Sequence, residues 1–592
     1  MKNKQTISLL AVLLSAGIFI TVLISYFNKT FPMVGHDFSY FVPHMLDAYL
    51  HYKVNGLSIQ WYTPSFGGGL PAYPNPQHMQ FTLPVLLMAF LDPWEAILAS
   101  NVIFILSGFL SAYYLLKTIM GFDSFASALG AIIFNINGFV FSHAIVGHLG
   151  YQAFPLFPLL LIGLFHPKSK PLYKGILIAL ILSLNIHGGG FYVIVIYSLS
   201  GMIAIPILIL LGPQIFNWKD FSKTILLSAI ITMMLSSSKI FAVTAYMQWF
   251  SREIADQYEA GLLPGLYRLY LQLFGMTIRI TYESLASTAN MARNIKLGIL
   301  SRSETYGLWE FDMGISPAAL LILASLPFVY FFGKKNGTFP ARSIPLAILS
   351  ILGLWITLEF RFTNGLIYPY IHQLPVIKSL HVNLRYTAAL LFPISLLATI
   401  GFNKLADRLK SDRQAFALFL ILVLLTLFPL QTYRNVPTDV YRYSFNISQA
   451  KIDYDKIRSN KIFPISTLRD DIRDYDTFQK KASSLRPYEP IFGYHLEEFT
   501  PLTHPGPVSE ITDGYFNITN PASLVFPKEN NLTLFERIKS SEKDKFKEFI
   551  NHKQPDWKRP PIQHLLDGLM VLTSILIILG IVYGAIKKGV RL

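Results

Sequence analysis

Cysteine is absent from the 592 residues, which excludes disulfides, thiolate metal sites and cysteine nucleophiles. Charge is scarce: Asp, Glu, Lys and Arg make up 14% of the chain, against about a quarter in soluble globular domains. Acidic residues are outnumbered 35 to 50, leaving a net charge of +15. There is no internal repeat, and no P-loop, Rossmann glycine pattern, HExxH helix or serine-hydrolase elbow stands in its required context. What is present is apolar: 52% hydrophobic residues and a mean hydropathy of +0.42. That balance describes an integral membrane protein.

A membrane-spanning helix needs about 20 apolar residues. About twelve segments qualify: 7–26, 95–117, 122–141, 149–166, 172–187, 189–211, 222–243, 315–333, 343–360, 384–403, 414–430 and 563–586. Residues 80–91 are apolar but short and broken by proline, and read as a re-entrant or interfacial piece. Met1–Tyr26 has a basic start and no small-residue cleavage pattern, as in an uncleaved signal-anchor. With the N-terminus inside, Lys117, Lys168, Lys170, Lys174, Lys219, Lys223, Lys334, Lys335, Arg342, Lys404, Arg408, Lys410, Arg413, Lys587, Lys588 and Arg591 all fall in or beside cytoplasmic loops. The positive-inside rule therefore places both termini in the cytoplasm, and the basic charge needs no nucleic-acid partner. Three large segments remain for the outer face: 27–80, an amphipathic basic stretch 244–314, and 431–562. The last mixes short strand-like and helical runs, which predicts a small extracytoplasmic α+β domain before the final helix.

The stretch Phe31–Pro84 is too polar and too rich in proline and glycine for lipid. Phe38, Phe41, Met45, Tyr49 and Tyr52 recur at helical spacing, and Asp37, His44, Asp47 and His51 take a second, polar side. A Gly/Pro/aromatic loop follows, with Gly67, Gly68 and Gly69 at its centre. Asp37, just past the first span, suits either chemistry at a membrane face or the N-cap of the helix it precedes. Gly35-His36-Asp37, Phe41 and Pro43, Gln60-Trp61, Phe66-Gly67-Gly68, Pro71 and Asn75-Pro76-Gln77 resemble the first outer loop of the YfhO-like membrane proteins, within the GT-C class of polytopic glycosyltransferases. The family often has Gly-Gly-Asp where this chain has Gly-His-Asp. Asn137-Gly138-Phe139 leading to His143 and His148, the Asn185–Tyr192 turn, and Leu374-Pro375 leading to His381 and Arg385 are further points of likeness. The likeness covers roughly residues 1–430.

The resemblance implies a GT-C-like α-helical fold, a polyprenyl-phosphate sugar as lipid donor, and an Asp of the first outer loop at the reaction centre. Asp37 is then the catalytic carboxylate, as base or as ligand of a divalent cation, Mg or Mn. Asp47 is a second candidate metal ligand; the polar face of a surface helix is the plainer account of His44, Asp47 and His51. Arg385 has the fork that grips phosphate, with His381, Arg252 and Lys239 as further phosphate-binding candidates; Lys239 otherwise snorkels to the interface. His44, Trp61, His143, His148 and Glu310 complete the expected substrate pocket, although Glu310 and Asp312 also suit the N-terminal end of the next helix. Loop 61–77 and stretch 252–296 are expected to close over the donor, and 431–562 to choose a glycan, lipid or protein acceptor. The expected setting is the plasma membrane of a prokaryote, with chemistry on the outer face. A lipid-linked sugar flippase and a non-catalytic envelope scaffold are the rival readings. A flippase would want charges near the middle of several spans, and few are seen.

Overall fold

The computed structural model describes residues 2–27, 33–212, 216–249, 262–274, 308–331, 343–374, 377–380, 382–430, 443–461, 464–487 and 502–587. Within them the protein is mostly helical. Among the described residues nine helices are long and apolar enough to cross a membrane: Lys4–Tyr26, Pro93–Ile119, Ser124–Val146, Phe191–Leu211, Trp218–Met247, Ile344–Phe362, Asn383–Ala406, Asp412–Leu430 and Pro561–Gly584. Leu149–Phe165, Pro171–His187 and Pro317–Pro327 are shorter apolar helices. Each of the twelve expected segments overlaps one of these, and the three short ones begin or are interrupted at prolines. The segment 80–91 forms only the five-residue helix Leu83–Leu87 and a turn.

Local chemistry sets the helix ends. Asp92 and Glu95 form a capping box across Pro93, and Asp123 accepts from the Phe125 amide at the start of the next span. Lys4 Nζ lies 2.7 Å from Asp123 and 3.7 Å from Asp412. Three segments that the charge pattern places inside therefore meet at one end of the bundle.

The core of the bundle is apolar and aromatic, with Phe19, Phe109, Phe134, Phe139, Phe141 and Phe392 all buried. Outward faces carry exposed Leu, Ile and Trp, such as Leu352, Trp355, Leu424 and Leu576, which suits contact with lipid.

A second apolar core lies at the far end from Lys4. It joins Trp61, Phe66, Leu70 and Tyr73 to Ile465, Leu468, Phe516, Ile518, Ile538, Phe549 and Trp557. Residues 443–557 contain short helices and two three-stranded sheets. Thr467–Arg469 pairs parallel with Ala482–Ser484 and antiparallel with Gly506–Pro507. Tyr515–Thr519 lies between Ile511–Thr512 and Arg537–Lys539, antiparallel to both. The loop after Trp61 is built into this unit. Gly67, Gly68 and Gly69 take φ of +60°, +64° and +113°, conformations that side chains resist. Gly68 then donates its amide to Ser483 Oγ at 3.0 Å and accepts from the Thr519 amide at 2.9 Å. A Cβ on Gly69 would lie 2.7 Å from the Thr519 carbonyl oxygen.

Candidate functional site

Asp37 is pinned by a close approach of two backbones. Met33–Val34 pairs antiparallel with Tyr443–Ser444. Gly35 then passes so near the end of helix Gly138–Val146 that a Cβ would lie 2.5 Å from the Ile145 carbonyl oxygen and 2.6 Å from that of Val146. The Asp37 amide donates to the Val146 carbonyl at 3.2 Å. Asn137 caps helix Gly138–Val146 at its start, and Gly147, at φ +98°, ends it. The next residue is His148, which the turn delivers to Asp37.

The carboxylate is held by two imidazoles. His148 Nε2 is 2.6 Å from Asp37 Oδ2, and His36 Nε2 is 3.0 Å from Oδ1. Asp37 occupies the N-cap position of helix Phe38–Asn55, yet its side chain makes no capping bond. Burial pushes its carboxyl up, but the pull of His36 and His148 wins and holds it well below the usual range. Asp37 is thus kept ionised.

A second pair adjoins the first. Glu310 stands on the short helix Leu308–Phe311, and Arg385 on the 3-10 turn Asn383–Leu390 at the head of a span. Arg385 Nε donates to Glu310 Oε2 at 2.7 Å, and an Nη donates to Oε1, so the pair is bidentate. The other Nη donates to the Tyr151 hydroxyl at 2.5 Å. The guanidinium lies 5.1 Å from the ring centre of Tyr151 and 4.8 Å from that of Tyr192. Burial raises the Glu310 carboxyl, and Arg385 more than offsets it, leaving Glu310 well below its ordinary value.

Two histidines link the pairs. His143 Nε2 is 3.6 Å from Glu310 Oε2, and its ring centre is 5.0 Å from that of His148. His143 Nδ1 faces the Phe139 carbonyl at 3.0 Å, so the proton is assigned there and Nε2 offers a lone pair. His148 turns Nε2 toward Asp37, which leaves Nδ1 facing away from it. His143 Nε2 and His148 Nδ1 are both buried without a hydrogen-bond partner. One ligand atom from each of His143, His148 and Glu310 lies within 4.8 Å of the others. Imidazole nitrogens with a carbonyl or carboxylate behind the opposite nitrogen, plus a buried carboxylate, form a donor set that fits a divalent cation.

Asp312 serves this arrangement from behind. Its Oδ2 accepts from Ser142 Oγ at 2.5 Å, and Gly138 leaves room for it, since a Cβ there would lie 1.8 Å from Oδ1. The Gly138 amide donates to the Gly314 carbonyl at 2.9 Å. The residues flanking Glu310 are thereby fastened to the helix that carries His143.

The structure thus brings together Asp37, His143, His148, Glu310 and Arg385 from the expected set. His36, Tyr151 and Tyr192 were not in it. His36 adjoins Asp37, and Tyr151 follows His148 by three residues, a helical spacing that was available as a signal; for Tyr192 only the glycine-rich turn before it pointed this way.

Four expected site residues lie elsewhere. Asp47 is ten residues along the helix from Asp37, about 15 Å at 1.5 Å per residue, so the two cannot share a cation. Its carboxylate accepts from Gln60 Nε2 at 2.6 Å and from Ser65 Oγ, with His552 3.9 Å away. His44 is stacked on Phe66 at 4.1 Å between ring centres. Trp61 is buried against Tyr73 and Phe526 with the Arg559 guanidinium 4.5 Å over its ring. Loop 61–77 is therefore core, docked on strands of 464–557, and does not form a cover over a donor. Lys239 is turned inward instead of toward the interface. It is 1% exposed, with Nζ donating to the Tyr73 and Asn75 carbonyls at 2.6 and 2.7 Å. Arg252 and His381, with most of 252–296, lie outside the described residues.

No protein-family model and no curated protein matches the chain. Among solved structures it is similar to the arabinofuranosyltransferase AftD from Mycobacteria, at 14% identity and a TM-score of 0.43, over 74% of this chain and 27% of that one. It is similar to the oligosaccharyltransferase AglB of Archaeoglobus fulgidus, at 14% and 0.31, over 75% of this chain and 56% of that one. It is also similar to ArnT of Cupriavidus metallidurans, at 13% and 0.31, over 69% and 84%. The chain spans about a quarter of the length of AftD and just over half that of AglB. At these TM-scores the likeness carries no functional weight, and it does not bear on the narrower YfhO-like resemblance.

Proposed function

We propose that the protein is a membrane glycosyltransferase that moves a sugar from a polyprenyl-phosphate-type lipid donor to a glycan, lipid or protein acceptor at the outer face of a plasma membrane. The observation that carries this is the Asp37 cluster: a carboxylate kept ionised by two histidines, continuous with a stacked arginine, at the mouth of the helix bundle. The meeting of Lys4, Asp123 and Asp412 at one end of the bundle supports cytoplasmic termini and an outer site.

In the reaction the acceptor oxygen attacks the sugar's anomeric carbon. The bond from that carbon to the donor phosphate breaks, the phosphate leaves with the electron pair, and the acceptor proton passes to Asp37. An always-ionised carboxylate is a weak base, so its orientation and its charge beside the developing oxocarbenium carbon count for more than its basicity. Arg385 takes the leaving phosphate, with Tyr151 and Tyr192 fixing its plane. The residues that would hold a divalent cation are His143, His148 and Glu310, and such an ion supplies charge neutralisation at the phosphate.

A flippase would carry free charge at mid-bilayer. Two charged groups within the described spans are already engaged in packing: Lys239 on carbonyls, and Asp567 on Arg559, Ser238 and Gln563.

The test is transfer of radiolabelled sugar from a panel of polyprenyl-phosphate sugars in membranes, with and without EDTA. Asp37→Asn and Arg385→Ala are each expected to abolish transfer at unchanged protein level. EDTA sensitivity, with metal content measured on purified protein, decides the cation. Transfer that survives Asp37→Asn intact removes the centre of the reading and moves the weight to a scaffold.

A further inference from the structure

The Nε edge of the Arg385 fork is already occupied. Nε and one Nη donate to Glu310 and the other Nη donates to Tyr151, which engages three of the five N–H groups, and the Tyr151 and Tyr192 rings lie together against the guanidinium. A phosphate seeking the planar, bidentate edge of this arginine meets a carboxylate bound in the same manner. Glu310 has a second position open to it: His143 Nε2 is 3.6 Å from its Oε2, and with a proton or divalent cation shared between them its oxygen joins the three-ligand cluster with His143 and His148.

We infer that Glu310 stands in for the donor phosphate on Arg385, and that a phosphate-bearing ligand binds by displacing it toward His143 and His148. This rests on the transferase reading of the same site and goes beyond it. The bidentate Nε edge of Arg385 is masked until a ligand displaces its partner, so the resting protein does not offer that edge to anionic headgroups. Exchange of one bidentate acceptor for another keeps the arginine paired throughout, which avoids the cost of an uncompensated buried charge.

The test is a binding cycle on the full-length protein in nanodiscs, with undecaprenyl phosphate as the lipid probe and inorganic pyrophosphate as the soluble one. Glu310→Gln is expected to tighten undecaprenyl phosphate about ten-fold or more, and Arg385→Ala to weaken it by at least as much. In the Arg385→Ala background, Glu310→Gln is expected to change binding by less than about two-fold, because there is no fork left to unmask. Asp37→Asn removes a neighbouring charge without touching the fork and is expected not to tighten binding. Glu310→Ala repeats the sign of Glu310→Gln, and a melting curve on each variant guards against misfolding. Tightening for both probes, or for the lipid alone, supports the inference, and the second pattern names the membrane as the source of the phosphate.

Unchanged or weaker binding by Glu310→Gln overturns it, and so does equal tightening in both arginine backgrounds. Should those failures coincide with transfer that still depends on Asp37, the stand-in falls and the transferase reading survives. If no variant binds either probe and Asp37→Asn leaves transfer intact, both fall.

Discussion

Asp37 and Asp47 lie on one stretch of chain, each buried and each beside a histidine, yet they are different objects. Asp47 is saturated from nearby: Gln60 and Ser65 donate to it, and the cluster around it is stitched to His552 and to the loop docked on residues 464–557. Asp37 draws its partners from His36 and from the turn beyond a span, and next to it His143 Nε2 and His148 Nδ1 are left without a hydrogen-bond partner. Saturated polar groups rigidify a core. Unpaired nitrogens beside an arginine–carboxylate pair are what a site for an ion or substrate looks like before it binds. A buried carboxylate with a histidine neighbour is thus no signal alone, nor is a lone unpaired atom, since Gln60 Oε1, His44 Nε2 and His78 Nε2 lack partners near Asp47; what separates the two is that the unpaired nitrogens beside Asp37 converge with Glu310 next to an arginine.

Replacing each carboxylate in turn breaks the comparison most sharply. Asp37→Asn is expected to lower transfer by about a thousand-fold, within the range for a group that handles a proton or charge in the transition state, with a melting temperature near wild type. Asp47→Asn is expected to leave transfer per folded molecule within a few-fold. If the two variants lose activity alike, the distinction fails.

A smaller effect comes from backbone alone. Gly35→Ala puts a methyl 2.5 Å from the Ile145 carbonyl oxygen, so the strand must retreat and take Asp37 off His148. Misplacement of about an ångström is worth about a hundred-fold in rate. The expected result is a drop in kcat with little change in binding of undecaprenyl phosphate, since Arg385 and Glu310 sit on other segments. A loss in binding alone would show that Gly35 does not act through Asp37.

Asp47→Ala should act on stability. It strands the Gln60 amide and the Ser65 hydroxyl inside the protein, at about 1–3 kcal/mol for each unpaired donor. Thermal unfolding and protease cleavage within residues 58–80 would report it, and an unchanged melting curve would deny Asp47 its structural part.

Much of the fold is legible before any coordinates. Runs of about 20 apolar residues can bury their backbone in lipid only as helices, and each of the twelve expected segments overlaps one. The glycine run 67–69 is legible as backbone that other residues resist, but not what it docks on, which is Ser483 and Thr519 some 400 residues on. That hidden partner turned an expected cover over the donor into core. In the site, Asp37 and Arg385 were legible through their motifs. Their pairing with His148 and Glu310 was not, because no local periodicity couples residues 75 or more positions apart. Lys239 shows the same gap: a lysine near a span end reads as a snorkel or a phosphate ligand until the carbonyls of Tyr73 and Asn75 are found around its ammonium.

Acid sharpens the comparison by the smallest margin. His44 is held down to about 3 by burial alone, and His51 to about 4, by burial against the opposing pull of the Ser58 carbonyl. Both face a joint that also contains Asp47, His78 and His552, with Lys239 nearby. An unfolded histidine takes a proton below about pH 6.5, and these two do not while the joint is formed. Stability is therefore whole above about pH 6.5 and falls as pH drops toward the folded values. At pH 5.5 the loss is about 1.4 kcal/mol for each histidine. Asp47, which burial pushes up, works in the opposite sense and softens the loss at lower pH. Hydrogen exchange in residues 58–80 should rise between pH 7 and 5.5, after correction for the intrinsic rate, and His44→Phe, which keeps a ring against Phe66, should remove about a third of that rise, the rest belonging to His51 and His78. A slope that His44→Phe leaves untouched would assign the acid sensitivity to the site around Asp37 and erase the contrast between the two clusters.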